Sequence, residues 1–105
     1  MINKYDVVII GAGAAGMMCA IEAGKRGRRV VLLDHAKKIG EKIRISGGGR
    51  CNFTNIYTDY NKFISSNPNF MISALKQYNY QNFIDLIYKH QISFHEKKLG
   101  QLFCD

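Results

Sequence analysis

Two glycine clusters carry the residue types whose spacing could do chemistry. The first, Gly11-Ala12-Gly13-Ala14-Ala15-Gly16, follows the apolar run Val7-Val8-Ile9-Ile10 and opens a helical pattern. Three glycines at G-x-G-x-x-G spacing arise often by chance, but a strand before them and a helix after them supply the context of a dinucleotide fingerprint. Each glycine has a distinct reason. Gly11 permits a tight turn, Gly13 lacks the Cβ that would block a pyrophosphate, and Gly16 lets the helix lie close to the strand, helped by Ala14, Ala15 and Ala20. The helix N-terminus offers free N–H donors and about half a positive charge to a diphosphate. Asp34, 18 residues after Gly16, closes a second apolar run and could accept hydrogen bonds from both hydroxyls of an adenosine ribose. The same carboxylate would repel a 2′-phosphate, which disfavours NADP at this site. A kinase-type phosphate loop is excluded, since no G-K-[ST] follows. The competing explanation is a turn whose glycines serve packing alone.

The second cluster is Ile45-Ser46-Gly47-Gly48-Gly49-Arg50-Cys51-Asn52. Each glycine costs roughly 0.5–1 kcal/mol against alanine in regular structure, so three in a row imply unusual backbone or a close approach. Successive N–H groups in such a turn can form an anion nest, and Arg50 can fork onto phosphate oxygens. Lys42 and Arg44 lie near enough in sequence to assist. A flexible surface loop is the alternative.

The elements that must position these residues form a short series. Tyr5 to Ile10 predicts a strand covered on both faces, as in parallel sheets. A helix runs from about Ala14 to Arg26, with Met17, Ala20, Ile21 and Gly24 on one slender face, and stops at Gly27. Val30 to Leu33 is the second strand, so the first 34 residues make a right-handed βαβ unit. From His35 to Arg50 the period is lost. Asn67-Pro68 reads as a helix start, with Phe70, Ala74 and Leu75 on a common face to about Gln77. A further helix from about Tyr80 to His90 turns Phe83, Ile84, Ile87 and Tyr88 inward. Ile92 to Glu96, the turn Lys98-Leu99-Gly100 and Gln101 to Cys104 read as a hairpin.

Composition sets the class. The chain has 105 residues, 47% apolar and 22% charged, with one proline, which fits one small globular domain. No apolar run approaches a membrane span, and no signal-peptide pattern stands at the N-terminus, so a cytoplasmic protein without membrane contact is expected. Fifteen basic residues stand against eight acids, for a formal charge of +7. Residues 25 to 50 hold nine of those basic residues against Asp34 and Glu41. That local field suits phosphate, whether of a nucleotide or of a nucleic-acid backbone; a solvated face would carry the same charges.

Three cysteines, Cys19, Cys51 and Cys104, make no disulfide framework, and His35, His90 and His95 do not fall at zinc spacing from them, so no metal site is expected. A flavin-type disulfide reductase would carry a second cysteine a few residues from Cys51, and none stands there. A single thiol beside a flavin could tune it or simply pack; Cys51 is read as packing, and Cys19 as a small buried apolar residue. The tyrosines and asparagines between Asn55 and Asn82 are read as core and surface rather than as base-stacking platforms.

The segment Lys42-Ile43-Arg44-Ile45-Ser46-Gly47-Gly48-Gly49-Arg50-Cys51-Asn52-Phe53-Thr54-Asn55 resembles the hallmark of the BaiN/RdsA-type flavoproteins, a group of NAD(P)/FAD-dependent oxidoreductases. The resemblance covers nearly the whole chain, including the fingerprint and the stretch from His90 to Gly100-Gln101-Leu102-Phe103. Two positions depart from it: Gln91 stands where glycine is expected, and Cys104 where proline often follows the phenylalanine. The resemblance implies FAD, with Gly11, Gly13, Ala14, Ala15 and Gly16 at its pyrophosphate and Asp34 at its ribose. It also implies that Lys42, Gly48, Gly49, Arg50 and Cys51 line the cofactor, and that NADH or NADPH is the reductant. Such proteins reduce carbon–carbon double bonds in substrates as different as steroid-type enones and a uridine of ribosomal RNA.

One βαβ unit is too few strands for a doubly wound sheet. The expected fold is therefore α/β: a Rossmann-like FAD-binding βαβ unit, then a helical segment and a β-hairpin, together an incomplete domain. Residues 1–105 are expected to be the N-terminal part of a longer flavoprotein, inactive alone, whose partner is the remainder of its own chain. The alternatives are an RNA-modifying or RNA-binding role for the basic stretch and a stand-alone nucleotide-binding module.

Overall fold

The computed structural model describes residues 3–105, which divide into two compact units meeting in sequence at Ile45 and Ser46. The first contains the βαβ unit. Strand β1 (Val7–Ile10) pairs in parallel with β2 (Val30–Leu33), Val7 opposite Val30 and Ile10 opposite Leu33, and helix α1 (Ala14–Lys25) connects them. Gly27, at φ +76°, ends α1: its N–H donates to the Gly24 carbonyl and that of Arg28 to the Ala23 carbonyl. That paired pattern is a Schellman cap, which needs a left-handed residue and so selects glycine.

The parallel strands were expected to be covered on both faces, and one face is open. Val7 and Ile9 are half-buried, whereas Val8 and Ile10 are 59% and 87% exposed and Leu33 is 51% exposed. Along a strand successive side chains alternate sides, so α1 covers one set and nothing in the described residues covers the other. Helix α1 itself buries no residue completely, and Cys19, expected to be buried, is exposed on it. A small two-stranded sheet shields only a narrow stripe of a helix.

The basic connection is more ordered than its lost period suggests. Helix α2 spans Glu41–Gly49 but keeps helical geometry only at its start, because Ser46 is extended (φ −59°, ψ 147°) and Gly47 and Gly48 are left-handed. A helical start of this length shows no sequence period. It is marked instead by Gly40, whose N–H donates to the Ala12 carbonyl, and by the Glu41–Arg44 ion pair one turn apart.

The second unit holds a three-stranded antiparallel sheet in the order β3 (Asn52–Asn55), β5 (Gln101–Cys104), β4 (Phe94–Glu96). The expected hairpin is present as β4 and β5, with Phe94 opposite Cys104 and Glu96 opposite Leu102. Its turn is tight, with Leu99 and Gly100 both at positive φ. Strand β3 was not expected. It reads Asn-Phe-Thr-Asn, and a bulge at Phe53 breaks its alternation, so no period of two marks it. Pairing makes β5 the central strand, and Leu102 and Phe103 on it are buried with Ile84 and Ile87 of α4 (Tyr80–Lys89). Each such side chain contributes roughly 1.5–3 kcal/mol by leaving water. Phe53 packs against Phe83 and Phe94 at ring separations of 5.8 and 5.5 Å.

Asn79 caps α4 through a reciprocal box with Asn82, which satisfies two otherwise orphaned N–H groups. Two expectations for the helices fail. The helix expected at Asn67-Pro68 begins at Ile72, as α3 (Ile72–Gln77). Asn67 forms a turn instead, accepting from the Asn69 N–H at its side chain and from the Phe70 N–H at its carbonyl. Phe70 therefore precedes the helix and is exposed rather than on its inner face. Tyr88 is likewise exposed, although its ring meets Phe94 edge-on at 5.3 Å.

Gln91 explains the glycine expected in its place. It sits at φ +56° in the cap of α4, its N–H donating to the Tyr88 carbonyl and that of Ile92 to the Ile87 carbonyl. This is the same Schellman arrangement that Gly27 makes, built on a residue with a Cβ. Gln91→Gly is therefore expected to stabilise the protein by about 1 kcal/mol. Urea unfolding checks it; an unchanged or lower midpoint would show that Gln91 bears no backbone strain.

Candidate functional site

The turn between β1 and α1 is held from several sides. The Gly11 N–H donates to the Leu33 carbonyl at 2.7 Å, the Ala12 N–H to Asp34 Oδ2 at 2.7 Å, and the Gly40 N–H to the Ala12 carbonyl at 3.0 Å. Ala12 is the most covered residue of the turn, 1% exposed. It occupies a variable position of the fingerprint, so spacing could not single it out; its small side chain suits a position that is almost wholly covered.

The three fingerprint glycines separate by cause. Gly11 is glycine because its φ is +107°. Gly16 is glycine because a Cβ there would stand 1.8 Å from the Gly11 carbonyl oxygen. Gly13 has neither reason: its φ is −88°, and a Cβ built on it meets nothing within 4 Å. Its missing side chain leaves open space at the start of α1. The Met17 N–H is the first to bond back along that helix, to the Gly13 carbonyl, so the N–H groups of Ala14, Ala15 and Gly16 precede the helical ladder. No side chain caps them, and no acid occupies the first turn. An external anion fits such an end.

Asp34 stands at the end of β2 beside this turn. Its Oδ1 accepts from the Ala36 N–H and its Oδ2 from the Ala12 N–H, both at 2.7 Å. These two bonds, Ala36 first, hold its carboxyl below the usual carboxylate range. The carboxylate thus latches the glycine turn to β2, a task the sequence did not reveal. A depressed folded pKa stabilises the fold above the unfolded value near 4 and loses that contribution as pH falls through the folded value. Asp34→Asn, which keeps one acceptor and places an amide against a second N–H, is expected to lower stability at neutral pH. It should also flatten the decline below pH 4. Parallel unfolding curves for the two proteins from pH 7 to pH 2.5 would remove the latch.

Of the remaining expected contacts, Lys42 is exposed on the first turn of α2, whereas the guanidinium of neighbouring Arg44 is engaged by Glu41. Gly48, Gly49, Arg50 and Cys51 belong to the second unit. Gly47, Gly48 and Gly49 run consecutively left-handed at φ +63°, +74° and +86°, a turn that the Arg50 N–H closes onto the Ser46 carbonyl at 3.2 Å. Open space surrounds Gly48 and Gly49, and Arg50 is exposed with no ion pair among the described residues. Cys51 is half-buried at φ +55°, and its carbonyl accepts from the Cys104 N–H at 3.1 Å, which sets the two cysteines side by side. Sequence distance hid that neighbour. Among the described residues no three His, Cys, Asp or Glu side chains group as metal ligands would, and no helix is long and apolar enough to cross a membrane.

A parallel βαβ unit with an open glycine over the helix N-terminus, and an acid at the end of the second strand, defines a dinucleotide-binding domain of the Rossmann class. The chain belongs to the HI0933-like protein family, whose Rossmann-domain model matches residues 5–105. It is 57% identical over 103 residues to a ribosomal RNA dihydrouridine synthase of Escherichia coli K12, covering 98% of this chain and 26% of that protein. A Haemophilus influenzae protein of the same name is 52% identical over 105 residues, covering 100% of this chain and 26% of the relative. A 3-dehydro-bile acid delta(4,6)-reductase of Clostridium scindens is 39% identical over 74 residues, 69% of this chain and 18% of that enzyme. The chain thus spans about a quarter of the length of the first two relatives. It is a flavin-binding Rossmann domain of an oxidoreductase family.

Proposed function

We propose that residues 1–105 form the N-terminal, FAD-binding part of a flavoenzyme that reduces a carbon–carbon double bond with electrons from NADH or NADPH. The observation that carries this reading is Gly13, whose missing side chain answers to nothing among the described residues and suits a pyrophosphate laid over α1. Gly11, Ala14, Ala15 and Gly16 shape the same turn. Asp34 retains lone pairs for the ribose hydroxyls beyond the two that hold the turn. Lys42, Gly48, Gly49, Arg50 and Cys51 complete the proposed contacts, with the exposed Arg50 guanidinium neutralising phosphate charge. FAD would supply the hydride transfer between nicotinamide and substrate. The open apolar face of β1 and β2 is proposed to pack against the rest of the polypeptide, as parallel strands require.

For the substrate, the two relatives above 50% identity favour a uridine in ribosomal RNA over a steroid-type enone. The basic excess of residues 25–50 fits both the cofactor diphosphate and a phosphate backbone. The test is the visible spectrum of the native protein, purified without added cofactor. A two-banded flavin spectrum that NADH or NADPH bleaches, and that ribosomal RNA but not an enone restores without oxygen, is the expected result. Restoration by the enone alone would replace the substrate assignment, and a protein that stays colourless after soaking with FAD would end the flavin reading.

A further inference from the structure

Cys51 and Cys104 lie 53 positions apart in sequence and meet across the β3–β5 ladder. Asn52 pairs with Phe103, so the next residues outward, Cys51 and Cys104, stand opposite one another. The Cys104 N–H donates to the Cys51 carbonyl at 3.1 Å, which fixes the two backbones in that register. Directly opposed antiparallel residues hold their Cα atoms about 4.5–5.5 Å apart. A disulfide spans about 4.4–6.8 Å, so the bond needs no large backbone movement. Both residues are half-buried, within reach of a small oxidant. β5 is the central strand and holds Cys104 in place, while Cys51 ends the left-handed glycine turn, where the backbone has room to adjust.

We propose that Cys51 and Cys104 form a redox-sensitive thiol pair that hydroperoxides convert into an intramolecular disulfide. Cys51 is also a proposed cofactor contact, but the pairing of the two cysteines rests on the β3–β5 register and not on the flavin. Burial and the adjacent Cys51 thiol push the Cys104 thiol up to about 11, so Cys104 keeps its proton, and the first attack is assigned to Cys51, at the end of the glycine turn. The Cys51 thiolate attacks one peroxide oxygen; the S–O bond forms, the O–O bond breaks and hydroxide leaves. Cys104 then attacks the Cys51 sulfenic acid; the S–S bond forms, the S–O bond breaks, and the hydroxyl leaves as water with the Cys104 proton. In total two thiols lose two electrons and two protons, and hydrogen peroxide becomes two waters. Cys19, exposed in the other unit, has no such partner among the described residues.

The experiment treats the native protein with hydrogen peroxide, blocks remaining thiols by alkylation and maps tryptic peptides. The expected product is a peptide running from Cys51 to Lys62 joined to the one beginning at Leu99, two hydrogens lighter than their sum and separated again by dithiothreitol. Cys104→Ser should abolish the joined peptide and leave Cys51 as a sulfenic acid that dimedone traps. Cys19→Ser should leave the joined peptide unchanged. Both thiols remaining alkylatable, or Cys51 joined to Cys19 instead, would overturn the proposal. Because the readout is a peptide mass, a colourless protein that still forms the bond would refute only the flavin reading.

Discussion

Gly16→Ala is expected to destabilise the protein by about 3 kcal/mol and to abolish flavin retention, whereas Gly13→Ala should cost less than about 1 kcal/mol yet also lose the flavin. At Gly16 the added methyl would stand 1.8 Å from the Gly11 carbonyl oxygen and 3.4 Å from an Ile9 methyl. The first contact is with backbone, and that backbone is tied down: the Gly11 N–H is bonded to Leu33 and the adjacent Ala12 to Asp34 and Gly40. Relief therefore requires α1 to move away from β1, which gives up the packing of Val7 and Ile9. At Gly13 a methyl meets no atom of the described residues within 4 Å, so only the weaker capping of alanine against glycine is felt. It would, however, occupy the space proposed for the pyrophosphate. A loss of affinity of at least tenfold, about 1.4 kcal/mol, is expected there. Urea unfolding and flavin titration of both variants separate the two effects. Wild-type stability in Gly16→Ala would contradict the close approach, and wild-type affinity in Gly13→Ala would remove the pyrophosphate from this turn.

The second large effect belongs to the other glycine cluster. Gly47→Ala is expected to cost about 3 kcal/mol and Gly48→Ala about 1 kcal/mol, although both residues have φ near +70°. Both variants suffer the left-handed penalty of a Cβ. Only Gly47 also faces atoms: its Cβ would lie 2.5 Å from Phe103 Cε1 and 2.9 Å from Asn52 Cβ. Phe103 cannot swing aside, because it is buried on the central strand with His95 stacked on its ring and the Lys97 ammonium 5.7 Å from its centroid. Asn52 begins β3 and is fixed by its pairing with Phe103. Unfolding midpoints for the two variants decide the matter, and equal losses would mean that conformation alone, without packing, selects Gly47.

These two clusters also show what can be read without a structure. The fingerprint was legible because every requirement behind it is local: a strand run, a turn and a helix run, with glycines at fixed offsets. Gly27 and the helix from about Tyr80 to His90 were legible for the same reason, the first as a helix stop and the second through its apolar spacing. Gln91 was partly legible, since a glycine was expected there and the left-handed φ supplies the cause. The hairpin followed from alternation and its turn residues. β3 did not, because a bulged Asn-Phe-Thr-Asn run carries no alternation of its own.

By itself, then, the sequence determined the βαβ unit, the glycine turn before α1, the acid that ends β2 and the α/β class, since local spacing encodes each of them. The tertiary structure alone decided what each glycine is for, the latch from Asp34 to Ala12, the place of β3 beside β5, and the meeting of Cys51 with Cys104. The last three are contacts between residues 22 to 53 positions apart. Chain periodicity reports which face a residue turns, and only the folding of that face against another selects its neighbour.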